Sequence, residues 1–331
     1  MVLQACMEID SLNAPLVSII IPVFNGEKYI GDTIRSVLSQ SYQQIEVIVI
    51  SDNSKDDTDK IVQDIAKGGP VRLIRNEKKE GAAASRNVGY KNAKGQFIKF
   101  LDGDDLLNDE AIAAQLKLGL KNPDSIISGK WGRFYDNNLS TFNLSIEKCW
   151  QTLEPTKWIC TSWENGQSMT NPGIFLIPRQ LVEKAGLWDE SLSLIDDFEY
   201  FTRTILEAKS VVFCPDSILY YRSGNGNTLS SAKSEQAYRS AYKSLNKGID
   251  RFLKTRTDLK AKQVCANLWK LFIYEIYPHQ QDLAAQANVH LSSLPAPTVK
   301  FPTGGLSELL LPFLGWKIVK TLQRIRSTLL T

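Results

Sequence analysis

Phe97-Ile98-Lys99-Phe100-Leu101-Asp102-Gly103-Asp104-Asp105 is the stretch on which the fold of this chain turns. An apolar run that reads as a buried strand stops abruptly at three carboxylates within four residues. Carboxylates this close repel one another unless a cation lies among them or some stay protonated. Hard divalent ions such as Mg²⁺ and Mn²⁺ are commonly held by one or two carboxylates together with the phosphates of a substrate. Open α/β sheets place their ligands outside the carboxyl ends of strands. The stretch therefore predicts a metal-nucleotide site at the end of a strand.

Upstream of it the pattern alternates regularly. Leu16 to Val23 reads as a buried strand, and a helix from about Glu27 to Gln40 follows. Ile45 to Ser51 is a second strand with a helix from about Asp56 to Lys67. Val71 to Arg75 is a third, followed by a helix from about Gly81 to Ala93, and Gln96 to Leu101 is the fourth. Continuous apolar strands between amphipathic helices predict a parallel sheet covered on both faces. Right-handed crossovers bring the carboxyl ends of such strands to one edge. Pro22-Val23-Phe24-Asn25, Asp52-Asn53-Ser54 and Asp102-Gly103-Asp104 would then face a common crevice.

Downstream the pattern is mixed from about Ser125 to Tyr221 and dense in aromatics, with a helix from about Ile195 to Ala208. Ser223-Gly224-Asn225-Gly226-Asn227 reads as a loop or a boundary. Helices over roughly 232–254 and 258–277 and a Pro-containing linker near 295–304 complete the chain. The expected organisation is an N-terminal extension over 1–15, an α/β domain over 16–222, a helical region over 223–304 and an amphipathic helix over 305–331.

Composition narrows the function classes. With 331 residues, 43% hydrophobic and 23% charged, the chain has the make-up of a soluble globular protein with a sizeable core. A net charge of +3 is too small to argue for nucleic acid as a partner. Five scattered cysteines (Cys6, Cys149, Cys160, Cys214, Cys265) without a C-x-x-C pair suit reduced, buried thiols in the cytoplasm rather than a disulfide framework or a zinc site. No secretory signal is visible at the N-terminus and no stretch approaches the ~20 apolar residues that span a bilayer.

Pro22-Val23-Phe24-Asn25-Gly26 follows the first strand, where Asn-Gly chemistry also suits a plain turn. Neither G-x-G-x-x-G nor a P-loop is present. Asp52 ends the second strand, where a carboxylate either accepts hydrogen bonds from a base or ribose or caps a helix. An EF-hand starting at Asp52 fails, because Asp57 stands where Gly is needed and Gln63 where Glu is. Gly81-Ala82-Ala83-Ala84-Ser85-Arg86 opens a helix with small residues that let an anion approach its N-terminus. Arg86 meets a phosphate or a base in one reading and pairs with a nearby acid in the other. His279 and His290 form no ligand pair.

Taken in order, "VSIIIPVFNGEKYI", "VIVISDNSKDDT", "GAAASRNVGYKNAKGQFIKFLDGDD" and "DDFEYFTR" resemble the family 2 glycosyltransferases, which have the GT-A fold. The resemblance covers about residues 16–222. It implies a Rossmann-like, mostly parallel central sheet flanked by helices, here with a helical C-terminal extension. It also implies inverting transfer of a sugar from a nucleoside-diphosphate sugar, with UDP-sugars favoured, to a glycan or lipid-linked hydroxyl in cell-surface polysaccharide, lipopolysaccharide or glycolipid assembly. Pro22, Val23, Phe24, Asn25, Asp52, Arg86, Asp102 and Gly103 would bind the nucleotide. Asp102 and Asp104 would hold Mg²⁺ or Mn²⁺, with Asp104 the principal ligand. The family often has two acids after the second strand, where this chain has Ser51 before Asp52.

Asp-Asp at 196–197, read from the residues alone, is an N-cap with a charge favourable to the helix dipole. The resemblance instead makes Asp197 the general base and leaves Asp196 as the cap, with Arg203 at the family's trailing basic position. Asn171-Pro172-Gly173 and Gly186-Leu187-Trp188-Asp189-Glu190 match the family's acceptor-side framework, and as residues alone they serve turns and core packing equally well. Two other readings compete. A haloacid-dehalogenase-type phosphatase shares Asp-x-Asp after a strand, but Leu106 stands where it needs Thr. A non-catalytic nucleotide-sugar-binding protein would not need Asp102, Asp104 and Asp197 together.

Leu306 to Leu330 mixes leucines and aromatics with Lys317, Lys320, Arg324 and Arg326. It suits an interfacial helix at the inner face of the plasma membrane. A helix docked on the core, or on a partner in a homodimer, suits the pattern equally well.

Overall fold

The computed structural model describes residues 14–167, 170–224 and 234–329. Most of the expected N-terminal extension, Cys6 and the Asn225–Asn227 part of the link lie outside the described residues. The N-terminal alternation runs β1 (Val17–Val23), α1 (Ile30–Leu38), β2 (Ile45–Ser51), α2 (Thr58–Ile65), β3 (Val71–Arg75), α3 (Ala82–Asn92) and β4 (Phe97–Phe100). Every residue of β1 and β4 is buried, as strands covered on both faces must be. After β5 (Leu106–Leu107) come α4 (Ala111–Lys121), β6 (Ile126–Tyr135), β7 (Asn138–Leu144), α5 (Pro155–Ser162), β8 (Phe175–Pro178), α6 (Arg179–Ala185), α7 (Asp196–Leu206) and β9 (Val211–Ser223).

The strands form one sheet in the order β3-β2-β1-β4-β8-β6-β9-β5, with β7 on β6. The expected parallel region is β3-β2-β1-β4. Beyond β4 the sheet continues through antiparallel β8 and β6, while β6 and β9 run parallel again. The α/β class expected from the alternation is the class observed. Helix α3 lies close on the sheet because Gly89 has no side chain: a Cβ there would stand 2.3 Å from Ile20 Cγ2 and 2.7 Å from Ile50 Cδ1.

The chain divides into two compact units. The first holds the residues up to Ile146, Asn171–Trp188 and Val211–Gly224, and so the whole sheet. The second holds Glu147–Thr170, Asp189–Ser210 and the C-terminal helices α8 (Glu235–Thr255), α9 (Leu259–Ile276), α10 (Gln281–Ser292) and α11 (Leu306–Leu329). The expected boundary near 222 is thus replaced by an interleaved one, because α5 and α7 pack on the C-terminal helices. Trp163 stacks on Phe198 and meets Phe252 edge-on at 5.1 Å, and Gly248 makes room for the Phe198 ring.

The described cysteines Cys149, Cys160, Cys214 and Cys265 are buried free thiols. His290 packs flat on Trp269, 4.9 Å between centroids, and its Nε2 is 2.9 Å from the Tyr242 hydroxyl. That is a packing role.

Candidate active site

The register of β1, β2 and β4 aligns their carboxyl ends. Val23 lies opposite Ser51, and Leu101 N donates to Ile20 O. Asp52 N donates to Val23 O at 2.8 Å, so Asp52 emerges beside the end of β1. Gly103 lies directly over the same place, since a Cβ on it would be 3.1 Å from Pro22 O and 3.2 Å from Val23 Cβ. A side chain there would require Val23 or the loop to give by a few tenths of an ångström. The three sequence-predicted loops therefore meet at one edge of the first unit.

Pro22 and Val23 are buried there, while Phe24 is exposed with the Lys79 ammonium 3.7 Å over its ring. Asn25 sits at φ +49°, a left-handed geometry that Asn tolerates better than most residues. Its backbone N–H donates to Ser54 Oγ, and its Oδ1 accepts from Lys55 N. Asn25 thus ties the first loop to the second.

Asp52 is buried, and its carboxylate accepts three hydrogen bonds. Asn76 Nδ2 and Glu80 N donate to Oδ1, and Gly81 N donates to Oδ2. The capping alternative is realised on the approach to α3 rather than on α2. A carboxylate offers about four lone-pair sites, so one direction remains for a ligand. Arg86 is buried; its Nη2 donates to Asp102 Oδ1 at 2.8 Å and its guanidinium lies 4.3 Å over the Trp188 ring. Of the two readings of Arg86, pairing with an acid is what the geometry displays.

The three acids of the loop have separate surroundings. Asp102 and Asp104 are half-buried, and Asp105 is buried. Desolvation first, and then the neighbouring Asp102 charge, push the Asp104 carboxyl up to about 6, against the attraction of Arg222. Asp105 is raised well above the usual carboxylate range, by desolvation and then by Asp104 and Asp102. Asp105 accepts from Asn171 Nδ2 at 2.9 Å and from Arg222 N at 3.0 Å. It is the clamp that joins β4, β9 and the Asn171 turn.

Arg222 completes that clamp. Its Nε donates to Asp104 O at 2.7 Å, Nη1 reaches Asn137 Oδ1, and the guanidinium lies between the Tyr29 and Phe134 rings. Sequence reasoning missed Arg222, for its partners stand some 85–118 residues away. It also missed Asn87, which exchanges hydrogen bonds with the Trp188 backbone in both directions. Asn171 and Trp188, matched at first to an acceptor-side framework, brace the acidic loop: Asn171 through Asp105, Trp188 through Arg86 and an edge-on contact with Phe100 at 5.3 Å.

Asp102 and Asp104 are half-buried and two residues apart, and they offer hard oxygen donors of the kind a divalent ion takes. Among the described residues no three His, Cys, Asp or Glu side chains converge as a complete cage. An ion that completes its shell with substrate phosphates and water needs only one or two protein carboxylates.

Asp197 lies in the second unit, at the start of α7. The N-cap is Ile195, not the expected Asp196, and it stands at φ +50°, a strained geometry for a β-branched residue. Ser244 Oγ donates to Ile195 O at 2.6 Å and helps hold it there. Asp196 Oδ1 accepts from Asp197 N, and Thr170 Oγ1 donates to Asp197 Oδ2 at 3.0 Å. Arg203, expected as a trailing base, forms a two-point ion pair with Glu199 one turn earlier.

The family model described as glycosyl transferase family 2 matches residues 18–184, just over half of the chain. The chain belongs to glycosyl transferase family 2. An uncharacterized glycosyltransferase of Rickettsia typhi is 31% identical over 221 residues, 66% of this chain and 67% of that protein. The Escherichia coli UDP-Glc:alpha-D-GlcNAc-diphosphoundecaprenol beta-1,3-glucosyltransferase WfgD is 36% identical over 143 residues, 40% of this chain and 56% of WfgD. The crystal structure of S. aureus TarS 1-349 in complex with UDP-GlcNAc superposes with a TM-score of 0.67 at 20% identity, covering 84% of this chain and 81% of that one. The fold is shared with TarS, and the protein is a glycosyltransferase. The phosphatase and non-catalytic readings fall with that membership.

Proposed function

We propose that this glycosyltransferase moves a sugar from a UDP-sugar to a hydroxyl of a glycan or lipid-linked acceptor, with inversion at the anomeric carbon. The observation that carries the reading is the meeting of the Pro22–Asn25, Asp52 and Asp102–Asp104 loops at one sheet edge, with Gly103 seated on Pro22 and Val23. Support for uridine comes from TarS, whose crystal form contains UDP-GlcNAc, and from the donor in the name of WfgD. A lipid-linked acceptor is likewise part of WfgD's name.

In this reading Pro22, Val23, Phe24 and Asn25 wall the nucleotide pocket, and Asp52 offers its remaining lone-pair direction to the base. Arg86 orients Asp102 toward the ribose and the diphosphate. Asp102 and Asp104 hold Mg²⁺ or Mn²⁺, which when bound neutralises charge on the departing diphosphate. Asp197, its carboxylate steadied by Thr170, takes the proton of the acceptor hydroxyl. The new bond joins acceptor oxygen to the anomeric carbon as the bond to phosphate breaks, and UDP leaves. One direct displacement inverts the centre.

Thermal melting against UDP-, GDP- and dTDP-sugars in the presence of Mn²⁺ tests the donor. UDP compounds should raise the Tm most, because ligand that binds only the folded chain stabilises it in proportion to occupancy. A response confined to GDP- or dTDP-sugars would reject uridine.

A further inference from the structure

Helix α11 carries two apolar faces, and only one of them is covered. Its backbone breaks at Gly315, where φ is +71°, just after Pro312. In the stretch 316–329, Trp316 stacks on Phe301 at 5.2 Å and Val319 is buried. Gln323 Oε1 accepts from the Tyr274 hydroxyl, and Lys320 and Arg324 pair with Glu275 of α9. These positions recur at helical spacing and form the docked face.

Ile318, Leu322 and Ile325 project from the opposite side and are 51%, 47% and 53% exposed. Before the break, Leu306, Leu309, Leu310, Phe313 and Leu314 are exposed as well, Phe313 to 86%. At 100° per residue those five span an arc of roughly 140°, wider than the narrow seam of a two-helix coiled coil. Docking on the core accounts for one face and leaves this apolar surface in water.

Charge says what covers it. By helical position Lys317 and Arg326 fall on either side of Ile318, Leu322 and Ile325, and Lys300 precedes the helix, against Glu308 in its first turn; Lys320 and Arg324 are held by Glu275 on the docked face. Lys300 and Lys317 are exposed. An apolar arc flanked by cations is the pattern of a helix lying in an anionic lipid interface. We infer that the outward face of α11 seats the protein on a bilayer surface bearing anionic headgroups. No helix among the described residues is long and apolar enough to cross a membrane.

The test uses the full chain, sedimented with vesicles of phosphatidylcholine alone or with added phosphatidylglycerol. The wild type should partition onto the anionic vesicles only. The double variant Leu309→Asp, Phe313→Asp should bind them at least about tenfold more weakly, since two large apolar side chains no longer leave water. Its melting temperature and its UDP binding should stay unchanged, which separates this result from any failure of the donor assignment. Equal binding to both vesicle types, or none to either, would overturn the inference. So would a dimer in solution that the same double variant dissolves, because the face would then be covered by a second copy.

Discussion

Asp197→Asn should lower the turnover number by about 10²–10⁴-fold, the usual contribution of a positioned general base, while leaving the affinity for UDP unchanged. The amide is nearly the same size and still offers an oxygen to Thr170 Oγ1, which lies 3.0 Å from the native carboxylate. It cannot accept the acceptor's proton at neutral pH. Asn is also well tolerated near a helix start, so the cost to folding is the loss of one favourable dipole charge, about 0.3–1 kcal/mol. Asp196→Asn is the internal control. It removes the same charge one residue earlier and should leave most of the turnover. Single-turnover transfer rates with a saturating donor, beside a UDP titration, read both expectations. A turnover near wild type in Asp197→Asn removes Asp197 as the base, and a parallel loss in Asp196→Asn would point to the helix dipole instead.

The second large effect concerns stability. Lys99 is fully buried in β4, where its ammonium donates to Gln115 Oε1 and Phe175 O, and burial pushes it down to about 7. In the unfolded chain a lysine titrates near 10.4. Below about 7 both states carry the proton, and the folded state bears the full cost of a buried charge. Between about 7 and about 10 the unfolded chain holds a proton that the folded chain has lost, so stability climbs with pH. The slope approaches 1.4 kcal/mol per pH unit at most. Urea midpoints from pH 6 to 9.5 should rise for the wild type relative to Lys99→Met, in which this titration is absent. Parallel curves for the two proteins would show that Lys99 keeps its proton on folding.

Much of the fold was legible because the N-terminal half obeys local rules. Strands β2 and β3 fall where their β-branched runs predict, since each is bounded by polar turns. Helix α1 starts three residues late, at Ile30, because Tyr29 N and Ile30 N both donate to Gly26 O and turn the chain first. The stretch from 125 to 223 was opaque for a different reason. Strand β6 carries Gly129 and Gly132, whose missing side chains admit Ser217 on one side and Asn143 with the Phe142 ring on the other. Register shifts at 128–130 and 133–135 break its alternation further. Helix α10 is rich in Ala and Gln and gives little periodic signal.

The site shows the same division. Asp102 and Asp104 were visible because two acids at a strand end are a local pattern. The role of Asp105 was not, as its partners Asn171 and Arg222 lie 66 and 117 residues away. Three adjacent acids look alike in sequence. Burial and long-range partners make one of them a clamp and leave the other two half-buried.

In the proposed reaction Asp102 and Asp104 bind a cation and a diphosphate together. Calorimetric titration of UDP into the wild type and Asp104→Asn, with and without Mn²⁺, tests it most directly. Mn²⁺ should tighten UDP binding to the wild type at least about tenfold, a coupling of about 1.4 kcal/mol, and should leave the variant's affinity unchanged. Equal UDP affinity with and without the metal in the wild type, or the same gain in Asp104→Asn, would contradict the account.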